Sequence, residues 1–210
     1  TDTHCHLDFA RFDQDREQVI KRAMKAGLAF IVNPGIDPTT NHAAISLSQQ
    51  FPGVIFAAVG IHPNYGKPWS QAHLNNLEEH ARRATVVAIG EIGLDYYREH
   101  TPKPQQQHMF KAQLALAAKL SLPVIIHNRD STCDLMAILS EWYSALQQSN
   151  HPLAKRPGVL HSFSADYETA IAAIGMNFFI GISGPVTFNN APDRKSVTQK
   201  IPLERLLLET

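Results

Sequence analysis

The feature that most constrains this chain is a regular alternation of short apolar, β-prone runs with helical patterns. The runs lie at 1–6, 29–35, 55–61, 86–92, 123–129, 158–163, 178–184 and 205–210. Helical patterns fall between them at about 14–27, 38–51, 70–84, 105–121, 132–148, 165–174 and 192–200. Gly27 just past one helix and Pro38 in the first turn of the next are the expected stop and start signals. Phe110, Leu114, Ala117 and Ala118 recur at three-to-four spacing, so one stripe of that helix faces a core. Strand, helix and strand in repetition, without strand-only stretches, imply α/β architecture and a parallel sheet. Eight strands favour a closed (β/α)8 TIM barrel. An open doubly wound sheet is the alternative, because alternation alone does not demonstrate closure, although no Gly-rich phosphate fingerprint follows the first strand.

The chain has 210 residues, and α/β barrels of about 200–250 residues fold as one unit. No repeat, low-complexity segment or linker divides it, so residues 1–210 are expected to form a single barrel domain. The stretches from His62 to Pro68 and from Tyr96 to Pro104 read as enlarged loops. The chain opens and stops inside apparent strands, which reads as a piece of a longer protein, a barrel truncated after its eighth strand.

Formal net charge is zero, which argues against a broad basic surface gripping long nucleic acid by charge alone. A local cationic pocket remains compatible with it. Two cysteines, Cys5 and Cys133, make no disulfide framework and suit a reduced, cytoplasmic protein. No apolar run reaches the length of a membrane span, and the N-terminus lacks a signal-peptide pattern. No membrane association and no obligate protein partner are expected.

The polar residues fall at the C-terminal ends of the predicted strands, where barrel active sites sit. The run at 1–6 carries His4 and His6, two apart and therefore on one face of a strand, with Asp2 in phase before them. The third run leads into Gly60-Ile61-His62-Pro63, and the fourth into Gly90-Glu91-Ile92-Gly93-Leu94-Asp95. Further ends carry His127-Asn128-Arg129-Asp130, His161-Ser162-Phe163 and Glu209-Thr210. Any one of these has an ordinary explanation as a capped or core polar residue. Jointly they do not, because apolar strands such as Val124-Ile125-Ile126 and Gly158-Val159-Leu160 run straight into them. His42, His73, His80, His100, His108 and His151 fall instead in helices, links and loops, and are assigned to solvent or local capping. Cys5 points away from the His pair and reads as core packing, and Cys133 as a structural residue at a helix start.

Imidazole is the commonest protein metal ligand. Four imidazoles and one glutamate can hold two divalent ions, because a carboxylate has two oxygens and Glu91 can bridge both. Two ions about 3.5–4 Å apart lower the pKa of a bound water and clamp both oxygens of an in-line displacement. Hydrolysis of an ester, amide or phosphodiester follows. Zinc or manganese suits nitrogen-rich ligation better than magnesium. For the proton acceptor, Asp2 sits early on its strand, Asp95 lies just past one, and no strand-eight Asp precedes the chain end.

These motifs carry a family resemblance. Asp2-Thr3-His4-Cys5-His6-Leu7-Asp8, Gly60-Ile61-His62-Pro63, Gly90-Glu91-Ile92-Gly93-Leu94-Asp95-Tyr96, Pro123-Val124-Ile125-Ile126-His127-Asn128-Arg129, Leu160-His161-Ser162-Phe163 and Leu206-Leu207-Leu208-Glu209-Thr210 resemble, in order, the TatD family of metal-dependent deoxyribonucleases. The resemblance implies a barrel of the amidohydrolase-like superfamily and a cytoplasmic DNase dependent on two divalent metal ions (Zn, Mn or Mg). It implies His4 and His6 as ligands of one metal, Glu91 as the bridging and catalytic ligand, and His127 and His161 as ligands of the second. It also implies a further Asp after the final Glu-Thr and a final helical segment, neither within these residues.

For substrate, Arg129 can meet a phosphate oxygen with its planar fork, or pair with Asp130. His62 can donate to a substrate oxygen or hold its loop. Tyr96 and Tyr97 can stack a base or ribose, or pack a loop. A neutral protein with a small pocket suits DNA single-stranded ends. The competing functions are a two-metal barrel hydrolase of small cyclic amides, lactones or esters, and a metal-binding protein without turnover. Many barrel relatives bridge their metals with a modified Lys at the strand-four end. Glu91 stands there, and the nearest lysines, Lys67 and Lys103, lie in other segments.

Overall fold

The computed structural model describes residues 1–98 and 100–210. Among the described residues seven parallel strands pair in chain order: β1 (Ile31–Pro34), β2 (Ile55–Val59), β3 (Val86–Asp95), β4 (Val124–Arg129), β5 (Gly158–Leu160), β6 (Phe179–Ile182) and β7 (Leu206–Leu208). Around them run α1 (Arg16–Lys25), α2 (Pro38–Gln50), α3 (Gln71–Ala81), α4 (Lys103–Leu120), α5 (Thr132–Gln148), α6 (Tyr167–Gly175) and α7 (Pro192–Lys200). Local chemistry explains the boundaries. Asp37 accepts from the Thr40 N–H at 2.8 Å in a capping box, and Pro38 fills the first turn, so α2 starts where the sequence reading put it. α4 stops at Ser121, which takes a left-handed conformation.

The expected first strand is reduced to one bridge, Asp2 to Ile31. The Asp2 carboxylate accepts from the His4 N–H at 3.2 Å, a local turn that draws the backbone out of the ladder. The segment nevertheless links the two sheet edges. Asp2 and Cys5 donate to Phe30 and Val32 on one side, and the Thr3 N–H donates to the Leu208 carbonyl at 3.1 Å on the other. Asp2 also accepts from the Thr210 N–H and hydroxyl. The arrangement is a parallel α/β sheet of the (β/α)8 TIM-barrel type, incompletely closed, with its two edges tied by the N-terminal residues. β3 runs on to Asp95, three residues beyond the expected end, with a register shift opposite β4 between Ile89 and Ile92.

The main core lies between sheet and helices, built on Ile89, Ile92, Leu114, Leu139 and the wholly buried Phe110 and Phe178. Val32, Ala58, Ala88, Ile125 and Val159 form a separate cluster, one residue from each of five adjacent strands. These two layers fix the strand ends to which the polar residues are attached. No helix among the described residues is long and apolar enough to cross a membrane.

Candidate metal centre

Five imidazoles meet one carboxylate where the strands end. Glu91 lies on β3, almost fully buried. His127 lies on the adjacent β4, where it pairs in register with Gly93. Gly93 has φ of 142°, and a Cβ there would collide with the His127 carbonyl oxygen, so only glycine lets the two strands approach. His161 follows the last residue of β5 and is held by its N–H to the Ile126 carbonyl at 3.0 Å. His62 is the third residue of the loop beyond β2, and His4 and His6 come from the N-terminal segment.

The two oxygens of Glu91 divide the ring of histidines. Oε2 faces His4 Nε2 at 3.5 Å and His6 Nε2 at 3.6 Å. Oε1 faces His127 Nδ1 at 2.8 Å, His161 Nε2 at 2.8 Å and His62 Nε2 at 3.5 Å. The His4 ring stacks on His161 with centroids 4.0 Å apart, and His62 meets His127 edge-on at 4.4 Å. Two compact three-residue groups result, His4–Glu91–His161 and His62–Glu91–His127, sharing Glu91. The resemblance implied His4 and His6 for one metal, His127 and His161 for the other, and the sequence offered His62 to substrate or its loop. Here the ring stacking also sets His161 beside His4, and His62 stands within the cluster.

Two further carboxylates stand behind the imidazoles. Asp95 Oδ2 lies 3.3 Å from His127 Nε2, and Glu209 Oε1 lies 3.6 Å from His161 Nδ1 and also accepts from the Ser162 N–H. Both are buried. Alternation was the signal for the first, since Glu91, Gly93 and Asp95 fall on one face of a strand that continues to Asp95. Such outer carboxylates orient imidazole ligands and raise their basicity. Asp2, in phase with His4 and His6 in the sequence, bonds instead to the His4 N–H and to Thr210, a structural tie across the chain.

The electrostatics follow from this packing. Burial pushes the His4 pKa down to about 4, with the His161 charge adding to it, so His4 is neutral near pH 7. Burial pushes His161 down too, but Glu91 and Glu209 outweigh it and raise it to about 10. His127 is raised against its burial by Asp95 and Glu91. Burial raises Glu91, yet the His161 and His62 charges and the hydrogen bonds from His127 and His161 hold it well below the carboxylate range. The carboxylates thus favour the protonated forms of His161 and His127, and a divalent ion bound there would take the place of that positive charge. His4 and His6 also bring their Nε2 atoms within 3.1 Å of each other, and their buried Nδ1 atoms have no hydrogen-bond partner among the described residues, that of His6 lying 3.9 Å from Asp8 Oδ1. Nitrogen and carboxylate donors in this number fit two divalent ions sharing Glu91. Bound there, such ions would supply an activated water and charge neutralisation at an ester.

Arg129 is exposed and forms no ion pair with Asp130 among the described residues; its guanidinium lies 3.7 Å from the Tyr97 ring centroid. Tyr96 donates its hydroxyl to Asp134 at 2.8 Å, a loop anchor. Of the remaining histidines, His73 and His151 accept backbone N–H groups, as local caps do. Cys5 packs with the Leu7 and Ile31 cluster, and Cys133 is exposed on α5.

Comparison with known proteins agrees with this geometry. A family model described as TatD-related DNase matches residues 1–210. The chain is 39% identical over 209 residues to the uncharacterized metal-dependent hydrolase YabD of Bacillus subtilis, covering 100% of this chain and 78% of that protein. It is 34% identical over 210 residues to the 3'-5' ssDNA/RNA exonuclease TatD of Pectobacterium parmentieri, covering 100% and 77%. The crystal structure of the TatD homolog YjjV from Escherichia coli superposes with a TM-score of 0.88 at 33% identity, again covering 100% and 77%.

Proposed function

The chain belongs to the TatD-related DNase family of metal-dependent hydrolases, and on that premise we propose that it cleaves phosphodiester bonds of single-stranded DNA from an end. The observation that carries the reading is Glu91, whose two oxygens each face a separate set of imidazoles. A carboxylate so placed suits a pair of ions acting on one phosphorus centre. The ligands are His4, His6, Glu91, His127 and His161, with zinc or manganese preferred over magnesium by the nitrogen-rich set. His62 stands among them and meets either a metal or a substrate oxygen. Arg129, exposed at the end of β4, takes a phosphate oxygen. Residues 1–210 act as one catalytic barrel domain in the cytoplasm. The relative named as an ssDNA/RNA exonuclease supports a strand-end substrate.

The test is nucleotide release from single-stranded DNA by the purified protein with and without added divalent metal. Release only with metal, and none from folded Glu91→Gln, is expected. Full activity in strong chelator would overturn the metal mechanism. Turnover of a cyclic amide or lactone with no DNA cleavage would move the assignment to small substrates.

A further inference from the structure

We propose that Tyr97, backed by Arg129, is a stacking platform for a nucleobase of the bound strand. The inference rests on the nuclease reading above and adds a residue to it. Tyr97 is 60% exposed and lies two residues beyond the end of β3, in a turn held by Asp95. Its neighbours explain why it is held there. Asp95 Oδ1 accepts from the N–H groups of both Tyr97 and Arg98 at 3.0 Å, while its other oxygen faces His127. One carboxylate therefore fixes both the turn that presents the ring and a histidine of the metal centre. Tyr96 is pinned inward by Asp134, Gln107 and a backbone bond to Arg129, which leaves Tyr97 on the outside of the turn.

The Arg129 guanidinium covers one side of the Tyr97 ring at 3.7 Å. The pairing stiffens a side chain that would otherwise lose rotamer freedom on binding, and it places a cation beside the ring. Arg98 and Lys103 line a cleft of about 280 Å³ next to this turn. An aromatic face with cations alongside is the combination that holds single-stranded nucleic acid without reading sequence, the base on the ring and the backbone along the positive groups. With a net charge of zero the chain offers phosphate no overall positive charge, so cations placed locally beside the ring carry the more weight.

Steady-state kinetics of the metal-loaded protein on an oligothymidylate and on its abasic counterpart test the platform. For Tyr97→Ala, KM on the oligothymidylate should rise about tenfold with kcat little changed. Tyr97→Phe, which keeps the ring, should stay within about twofold of the parent. On the abasic strand the parent and Tyr97→Ala should have equal KM. An unchanged KM for Tyr97→Ala on both strands, or an equal rise on both, overturns the platform while leaving the nuclease reading intact. Hydrolysis of neither strand by the parent protein overturns the nuclease reading and the platform with it.

Discussion

Loading the metal-free protein with zinc at pH 7 should expel protons, and the site sets how many. Imidazole ligates only in its neutral form. His161, with its pKa raised to about 10, carries a full proton at pH 7. His127 is also raised and contributes a further fraction. His4, pushed to about 4, is already neutral and contributes none. Zinc uptake should therefore release about one to two protons. Affinity should climb by about one to two decades per pH unit between pH 7 and 9, because a higher pH removes the competing protons. Isothermal titration in buffers of different ionisation enthalpy measures the release directly. Glu91→Gln should lower it, since the Glu91 carboxylate is the largest charge favouring the His161 proton. Uptake without proton release, or affinity that does not change with pH, would refute the assignment of these imidazoles as ligands.

Three other outcomes follow from the same packing. Glu209→Gln should weaken zinc binding about 10–100-fold in a chelator competition while leaving the fold intact, because it changes the partner of His161 Nδ1. Gly93→Ala should destabilise the protein by about 2 kcal/mol or more in chemical denaturation, since the left-handed backbone and the His127 carbonyl both oppose a Cβ. In the metal-free protein, His161 has a folded pKa above its unfolded value, so its contribution is complete below about pH 6.5 and is lost as pH rises through about 10. The melting temperature of the metal-free protein should fall between pH 7 and 10; a flat profile would show that this buried ion pair contributes nothing.

The alternation of strands and helices was legible because the elements repeat a period and some carry recognisable punctuation, as Pro38 shows for the start of α2. The strand-end histidines were legible because apolar runs deliver them, as Val124-Ile125-Ile126 delivers His127. What escaped was tertiary. Residues 1–6 read as a strand, yet the Asp2 side chain competes for the His4 N–H and leaves one bridge. The stacking of His4 on His161 depends on strand tilt and ring rotamers, which no local pattern encodes. His62 joined the cluster by the path of the loop after β2, and Glu209 met His161 only because β7 lies against β6. Arg129 found an aromatic ring where the local sequence offered Asp130.

The central claim is that Glu91 lies between two divalent ions. Anomalous scattering from a crystal soaked in zinc or manganese tests it most directly. Two peaks on either side of the Glu91 carboxylate, flanked by His4, His6, His127 and His161, are the predicted result. A single peak, or peaks away from Glu91, would contradict it.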